Sequence, residues 1–116
     1  MRGHAQRRVR VSTPWGYRAR VGVDAGLVPL IQALHRCGFV TVMSCEDLND
    51  TGQVWLVFPI EAMAQLFADL ATELVPSVNP EVTSGYRDMG TVSFGRSDLP
   101  SIEGALAAEG ERRWAQ

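Results

Sequence analysis

Between residues 18 and 45 the hydrophobic period of the chain switches from two to 3.6 and back again. Ala19, Val21 and Val23 alternate with Arg18, Arg20 and Gly22, the pattern of a strand. Leu27, Leu30, Ile31 and Leu34 then recur at i, i+3, i+4 and i+7, one face of a helix. Phe39-Val-Thr-Val-Met-Ser-Cys45 follows, β-branched and aromatic through its first half, a second strand. Two strands joined by a helix must bury a face of each element against the others, so the chain reads as α/β. A parallel pair connected in this way crosses over right-handedly.

The remaining elements extend this pattern. Asp24 stands where its carboxylate can cap the helix, and Pro29 allows that helix to begin as late as residue 26. Gly38 is a suitable residue to end it. Val54–Phe58 is an apolar strand, set off from residue 45 by a polar loop of hairpin length. Pro59 permits a helix start, and Met63, Leu66, Phe67, Leu70 and Leu74 mark a helical face that Pro76 closes. Strands over Val82–Tyr86 and Thr91–Phe94 flank a turn that places Gly90 in the left-handed conformation. Asp98 can cap a last helix from Leu99, which Gly104 and Gly110 should leave frayed. The expected fold is a ferredoxin-like split β-α-β-β-α-β core, with an added C-terminal strand and helix and helices on one face of the sheet. The expected organisation is a basic, partly disordered N-terminal arm over 1–17, within which Val9–Ser12 alternates like an edge strand. A single α/β domain follows over 18–116.

The chain has 116 residues, enough for one domain. No apolar run approaches the roughly 18 residues that span a bilayer. The basic start has no apolar segment behind it, so a secretory signal is not expected and the cytoplasm is. All eleven basic residues are arginine, and six of them fall in the first 23 residues, which hold no acid. The remainder carries five arginines and all thirteen acids, a formal charge of −8. Such an arm suits a nucleic-acid contact through Arg2, Arg7, Arg8 and Arg10, or packing on its own acidic body.

Chain direction places the candidate site. The start of the first helix and the end of strand 39–45 share one end of the domain. Asp24, Ser44, Cys45, Glu46, Asp47, Asn49 and Asp50 converge there, whereas His35, Arg36 and Cys37 lie at the other end. Six strand steps from Phe39 to Cys45 span roughly 20 Å, so Cys37 and Cys45 are too far apart to bridge. A thiolate at Cys45 is favoured by a nearby helix N-terminus and opposed by Glu46 and Asp47. A nucleophilic Cys45 needs a base, and the two histidines, His4 and His35, are placed elsewhere. Cys45 thus reads either as structural or as part of a binding or thiol-dependent site. Asp47-Leu-Asn49-Asp50-Thr-Gly52 has some of the oxygens of a calcium loop, but its twelfth position is Phe58 rather than a bidentate glutamate. No zinc-ligand or phosphate-loop spacing is present in the sequence, so neither metal nor cofactor is expected. Trp55 falls on the face opposite Val54, Leu56 and Phe58, so with helices on one face either Trp55 or those neighbours look outward. That face is either covered by the arm or the C-terminal segment, or is a partner surface with Trp55 as its anchor.

The segment from Val23 to Glu46 resembles a family of small proteins of actinobacteria and their phages. The shared features are Asp24, the Leu27-x-Pro29-Leu30 helix, Gly38, and Thr41-x-x-Ser44-Cys45 followed by Gln or Glu. A short apolar strand and a second helix usually follow, as Val54 to Leu74 do here. The resemblance implies a family and no activity. Thr41-x-x-Ser44-Cys45 is also similar to part of a motif in wybutosine-synthesis methyltransferases. The Gly-Arg that completes that motif is absent, so their activity is not carried over. The expected function is that of a small non-enzymatic interaction or regulatory protein, phage or prophage encoded, that binds a host or defence protein. A second copy of the chain is also an admissible partner. The alternative is a small-molecule-binding or thiol-dependent enzymatic domain at the Asp24/Cys45 end.

Overall fold

The computed structural model describes residues 6–13, 16, 18–46, 52–85 and 87–114, with 6, 7, 18–22, 46 and 114 described by backbone alone. The alternations near the N-terminus form β1 (Gln6–Ser12) and β2 (Arg18–Asp24). They pair antiparallel as a two-stranded ribbon, with Arg8 opposite Gly22, Arg10 opposite Arg20 and Ser12 opposite Arg18. Val9 and Val11 are buried, so β1 lies within the stretch expected to be an arm and contributes to the core.

After a single 3-10 turn, α1 (Val28–Arg36) carries Pro29 in its first turn, where a missing N–H costs nothing. Leu27, Leu30, Ile31 and Leu34 are fully buried, as their spacing requires. The helix ends at Gly38, whose φ of +97° is the left-handed conformation that glycine adopts without a Cβ penalty.

The next strand is shorter than its composition suggests. β3 covers only Met43–Glu46; the Val42 N–H before it still bonds Val57 O at 2.8 Å, but the donors of residues 39–41 are committed elsewhere. The Phe39 N–H bonds Leu34 O at 3.1 Å, and the Thr41 N–H points to His35 Nε2 at 3.4 Å. The Val40 N–H points to Met63 Sδ at 3.3 Å. Phe39 and Thr41 are buried without being in a ladder.

β3 and β4 (Gln53–Phe58) form the expected antiparallel hairpin. The second helix, α2 (Glu61–Leu74), is followed by β5 (Glu81–Ser84), β6 (Gly90–Gly95) and α3 (Leu99–Trp114). The main sheet is antiparallel throughout, in the order β3-β4-β6-β5. The ladders therefore do not give the ferredoxin-like order. That order needs the first strand of the βαβ unit between β4 and β5, and β6 occupies the place. Sequence-adjacent pairing accounts for the difference. β2 has β1 and β6 has β5 as partners across short connections, and these close at less entropic cost than a long-range pairing. β2 still lies beside β3, in its own ribbon.

Val54, Leu56, Phe58, Val92 and Phe94 are buried on the inner face of the sheet, where α2 packs. The Phe39, Phe58 and Phe67 rings meet with centroids 5.5 to 6.3 Å apart. Along α2 the buried line is Ala64, Phe67, Ala68 and Ala71, with Met63, Leu70 and Leu74 at its margin. Leu66, expected on this face, is 62% exposed. The stripe centres on alanines because the sheet approaches closely. A Cβ on Gly90 would stand 2.8 Å from both Ala64 Cβ and Glu61 Cα. Gly90 does not adopt the left-handed turn conformation expected of it; Arg87 does, at φ +58°.

α3 is continuous through Gly104 and Gly110 rather than frayed, because it is held from outside. Cys37 Sγ–H donates to Leu106 O at 3.3 Å, and Arg113 Nη1–H donates to Cys37 O at 2.5 Å. Arg36 pairs with Glu111 at 3.1 Å. Glu109 takes both Arg112 and Arg113 on its own helix. Gly110 allows the Arg36 side chain close, since a Cβ there would lie 3.1 Å from Arg36 Cβ. Tertiary contact thus outweighs the helix penalty of glycine, about 1 kcal/mol each. No helix among the described residues is long and apolar enough to cross a membrane.

Candidate functional site

The ends of β2 and β3 meet, as chain direction predicts. Asp24 is 1% exposed and close enough to Cys45 for its charge to act on the thiol. The expected helix cap is not formed, because the carboxylate makes no capping bond to the turn that follows. Ser44 and Cys45 are neighbours in a strand, so they point to opposite faces. Ser44 is buried opposite Leu56, whereas Cys45 lies on the outward face opposite Trp55. The cluster read from the sequence is thus split by the pleat. Glu46 is described by its backbone only, and Asp47, Asn49 and Asp50, with the loop compared to a calcium site, lie outside the described residues.

The electrostatics at Cys45 oppose thiolate chemistry. Burial pushes its pKa up, and the Asp24 carboxylate pushes it further. His35 is not available to it as a base. The imidazole is fully buried, with Nδ1 2.9 Å from Ile31 O and Nε2 facing the Thr41 N–H. In the neutral ring Nδ1–H donates to Ile31 and Nε2 accepts from Thr41. Burial lowers its pKa, and the Ile31 bond only partly offsets this. Its place in the last turn of a helix says nothing of this role, which depends on the loop folding back over α1. Burial also raises the Cys37 thiol, with Arg113 and Arg36 opposing. Both cysteines are free thiols. Among the described residues, no three His, Cys, Asp or Glu side chains come together as a metal site would need.

Two surfaces remain. The outward face of the main sheet carries one row of Cys45, Trp55, Ser93 and Glu81, and a second of Met43, Val57, Thr91 and Thr83. Met43 is 58% exposed, and Trp55, Val57 and Cys45 are each partly exposed. Val42 and Ile60 are also exposed, beyond the end of these rows. The other surface is the ribbon, whose buried valines leave Arg8 and Arg10 exposed. A cleft of about 250 Å³ opens beside it, between β1 and α1, lined by Arg10, Ser12, Gln32 and Arg36. A wider cleft of about 660 Å³ lies where β4 and α3 begin, near Gln53, Arg96 and Ser97, and among the described residues no carboxylate, histidine or cysteine lines it. Trp15 lies outside the described residues and Trp114 is described by its backbone only. No family model, curated protein or solved structure matches this chain.

Proposed function

We propose that the chain is a small non-enzymatic interaction module that takes a protein partner on the outward face of its four-stranded sheet. The observation that carries this reading is Trp55 at the middle of that face, with Met43, Val57 and Cys45 around it. A partly exposed tryptophan flanked by apolar side chains can fill a partner's pocket and shed water from a contiguous patch. Thr91, Ser93 and Thr83 supply a polar rim on the same face. The likeness of residues 23–46 to small proteins of actinobacteria and their phages supports a phage or prophage origin. It also supports a host or defence protein as the partner and the cytoplasm as the compartment. The alternative of a thiol-dependent site at Cys45 has less behind it, because burial and Asp24 both favour the protonated thiol.

The test is capture from an actinobacterial lysate with the full chain, compared with the Trp55→Ala/Met43→Asp variant. The expected result is a protein retained by the first and lost by the second, with both melting cooperatively. Loss of an anchoring tryptophan costs about 2 kcal/mol or more, roughly thirtyfold in affinity. Retention of the same protein by both forms would remove this face from the site, and retention of nothing would remove the function.

A further inference from the structure

The ribbon is built differently from the rest of the surface. Residues opposite one another in an antiparallel pair share a face. The register therefore sets Gln6, Arg8, Arg10 and Ser12 of β1 beside Asp24, Gly22, Arg20 and Arg18 of β2. Four arginine positions fall on this one face. Its single acidic position, Asp24, is 1% exposed and offers no carboxylate to solvent. The register sets the Arg10 and Arg20 positions directly opposite one another. The cleft beside β1 adds Arg36 and Gln32 from α1 to Arg10 and Ser12. Glu111, paired with Arg36, is itself 76% exposed, so the ion pair is open to solvent and to exchange with another anion.

We infer that the outward face of the β1–β2 ribbon, with the cleft between β1 and α1, binds the phosphodiester backbone of a nucleic acid. Several features favour this class. Alternate residues along a strand recur at about 6.7 Å, so the arginines form a linear series rather than a point site. Guanidinium groups bond phosphate oxygens bidentately, and every cation on this surface is an arginine. A two-stranded ribbon is also narrow enough to enter a major groove. The net charge of −2 does not oppose the assignment, because the acids lie beyond residue 23. This site does not depend on the protein-binding face around Trp55.

The experiment is fluorescence anisotropy of the full chain with a labelled duplex and with a single strand of the same sequence, across a salt series. With about four phosphates neutralised, log K should fall with log salt at a slope of about −3.6 for duplex or −2.8 for single strand. Arg8→Gln/Arg10→Gln should bind at least tenfold more weakly and flatten the slope by about two. Arg36→Gln should flatten it by about one. Arg8 and Arg10 are exposed, so these variants keep the fold, which thermal melting checks. Trp55→Ala should bind nucleic acid like the parent. Three results would each overturn the inference: no binding at low salt, a salt-independent affinity, or variants that bind as the parent does. Displacement of the nucleic acid by inorganic phosphate at matched ionic strength would mark a small-anion site instead. Displacement by polyglutamate at equal charge would mark an acidic protein as the ligand. Either would equally overturn it.

Discussion

The two faces of the four-stranded sheet come from the same strands and differ in almost every physical respect. On the inner face Val54, Leu56, Phe58 and Val92 have no exposed surface and lie under helices. On the outer face Trp55, Val57 and Cys45 are only partly covered, and Met43 is mostly in water. The first face holds the core, whereas the second is the one on which a partner is proposed to bind. A substitution should therefore act on folding or on binding according to which side of the pleat it occupies.

Leu56→Ala is the most severe test of that division. It removes three methyl-sized groups from a fully buried site, and should cost about 2–5 kcal/mol in denaturant unfolding. Its neighbour Val57→Ala should cost below about 1 kcal/mol. Equal losses at the two positions would mean that the outer face is covered in solution.

Gly90→Ala should come next. The added Cβ would meet the Glu61 backbone and Ala64 at 2.8 Å, so α2 must shift. A destabilisation of about 1–3 kcal/mol is expected from overpacking, against a gain wherever a glycine is merely loose. Gly104→Ala on α3, where a Cβ meets open space, should stabilise by about 0.5–1 kcal/mol. Thermal melts of this pair separate glycine needed for close approach from glycine tolerated. Two stabilised variants would contradict the packing of β6 on α2.

His35 probes the inner layer through pH. Its folded pKa is depressed by burial, so the folded state holds the ring neutral while the unfolded chain protonates near pH 6.5. The unfolded state then binds more protons below that pH, and stability falls as the medium is acidified. Full stability is present above about pH 6.5 and is lost progressively until the folded pKa is reached. Urea midpoints measured across this window should fall toward acid, and the part due to His35 should vanish in His35→Gln. An unchanged pH dependence in that variant would show that the ring is not held neutral.

Cys45→Ser should have the smallest effect. The thiol is only partly buried and stays protonated, so the change in stability should be within about 1 kcal/mol. The parent thiol should also react slowly with alkylating reagents at neutral pH. Rapid alkylation, or loss of partner capture in a folded Cys45→Ser protein, would return Cys45 to the centre of the site.

The periodicities were enough to locate most elements and to orient the buried face of α1. The spacing of Leu27, Leu30, Ile31 and Leu34 matched the buried side of α1, and the alternation over Val54–Phe58 separated Trp55 from Val54, Leu56 and Phe58, because both patterns repeat with the local geometry of the backbone; which of those two sides is buried only the packing decided. Chain direction also brought Asp24 and Cys45 together. Pairing partners were a different matter, since a strand's pattern reports which side is apolar and not which neighbour it will hydrogen-bond. Hence β6, not β2, lies between β4 and β5. The same distinction covers His35, Leu66 and Gly90. Whether an imidazole finds two partners, a leucine faces water, or a glycine meets a helix backbone depends on groups far away in the chain, and those meet only when the layers close.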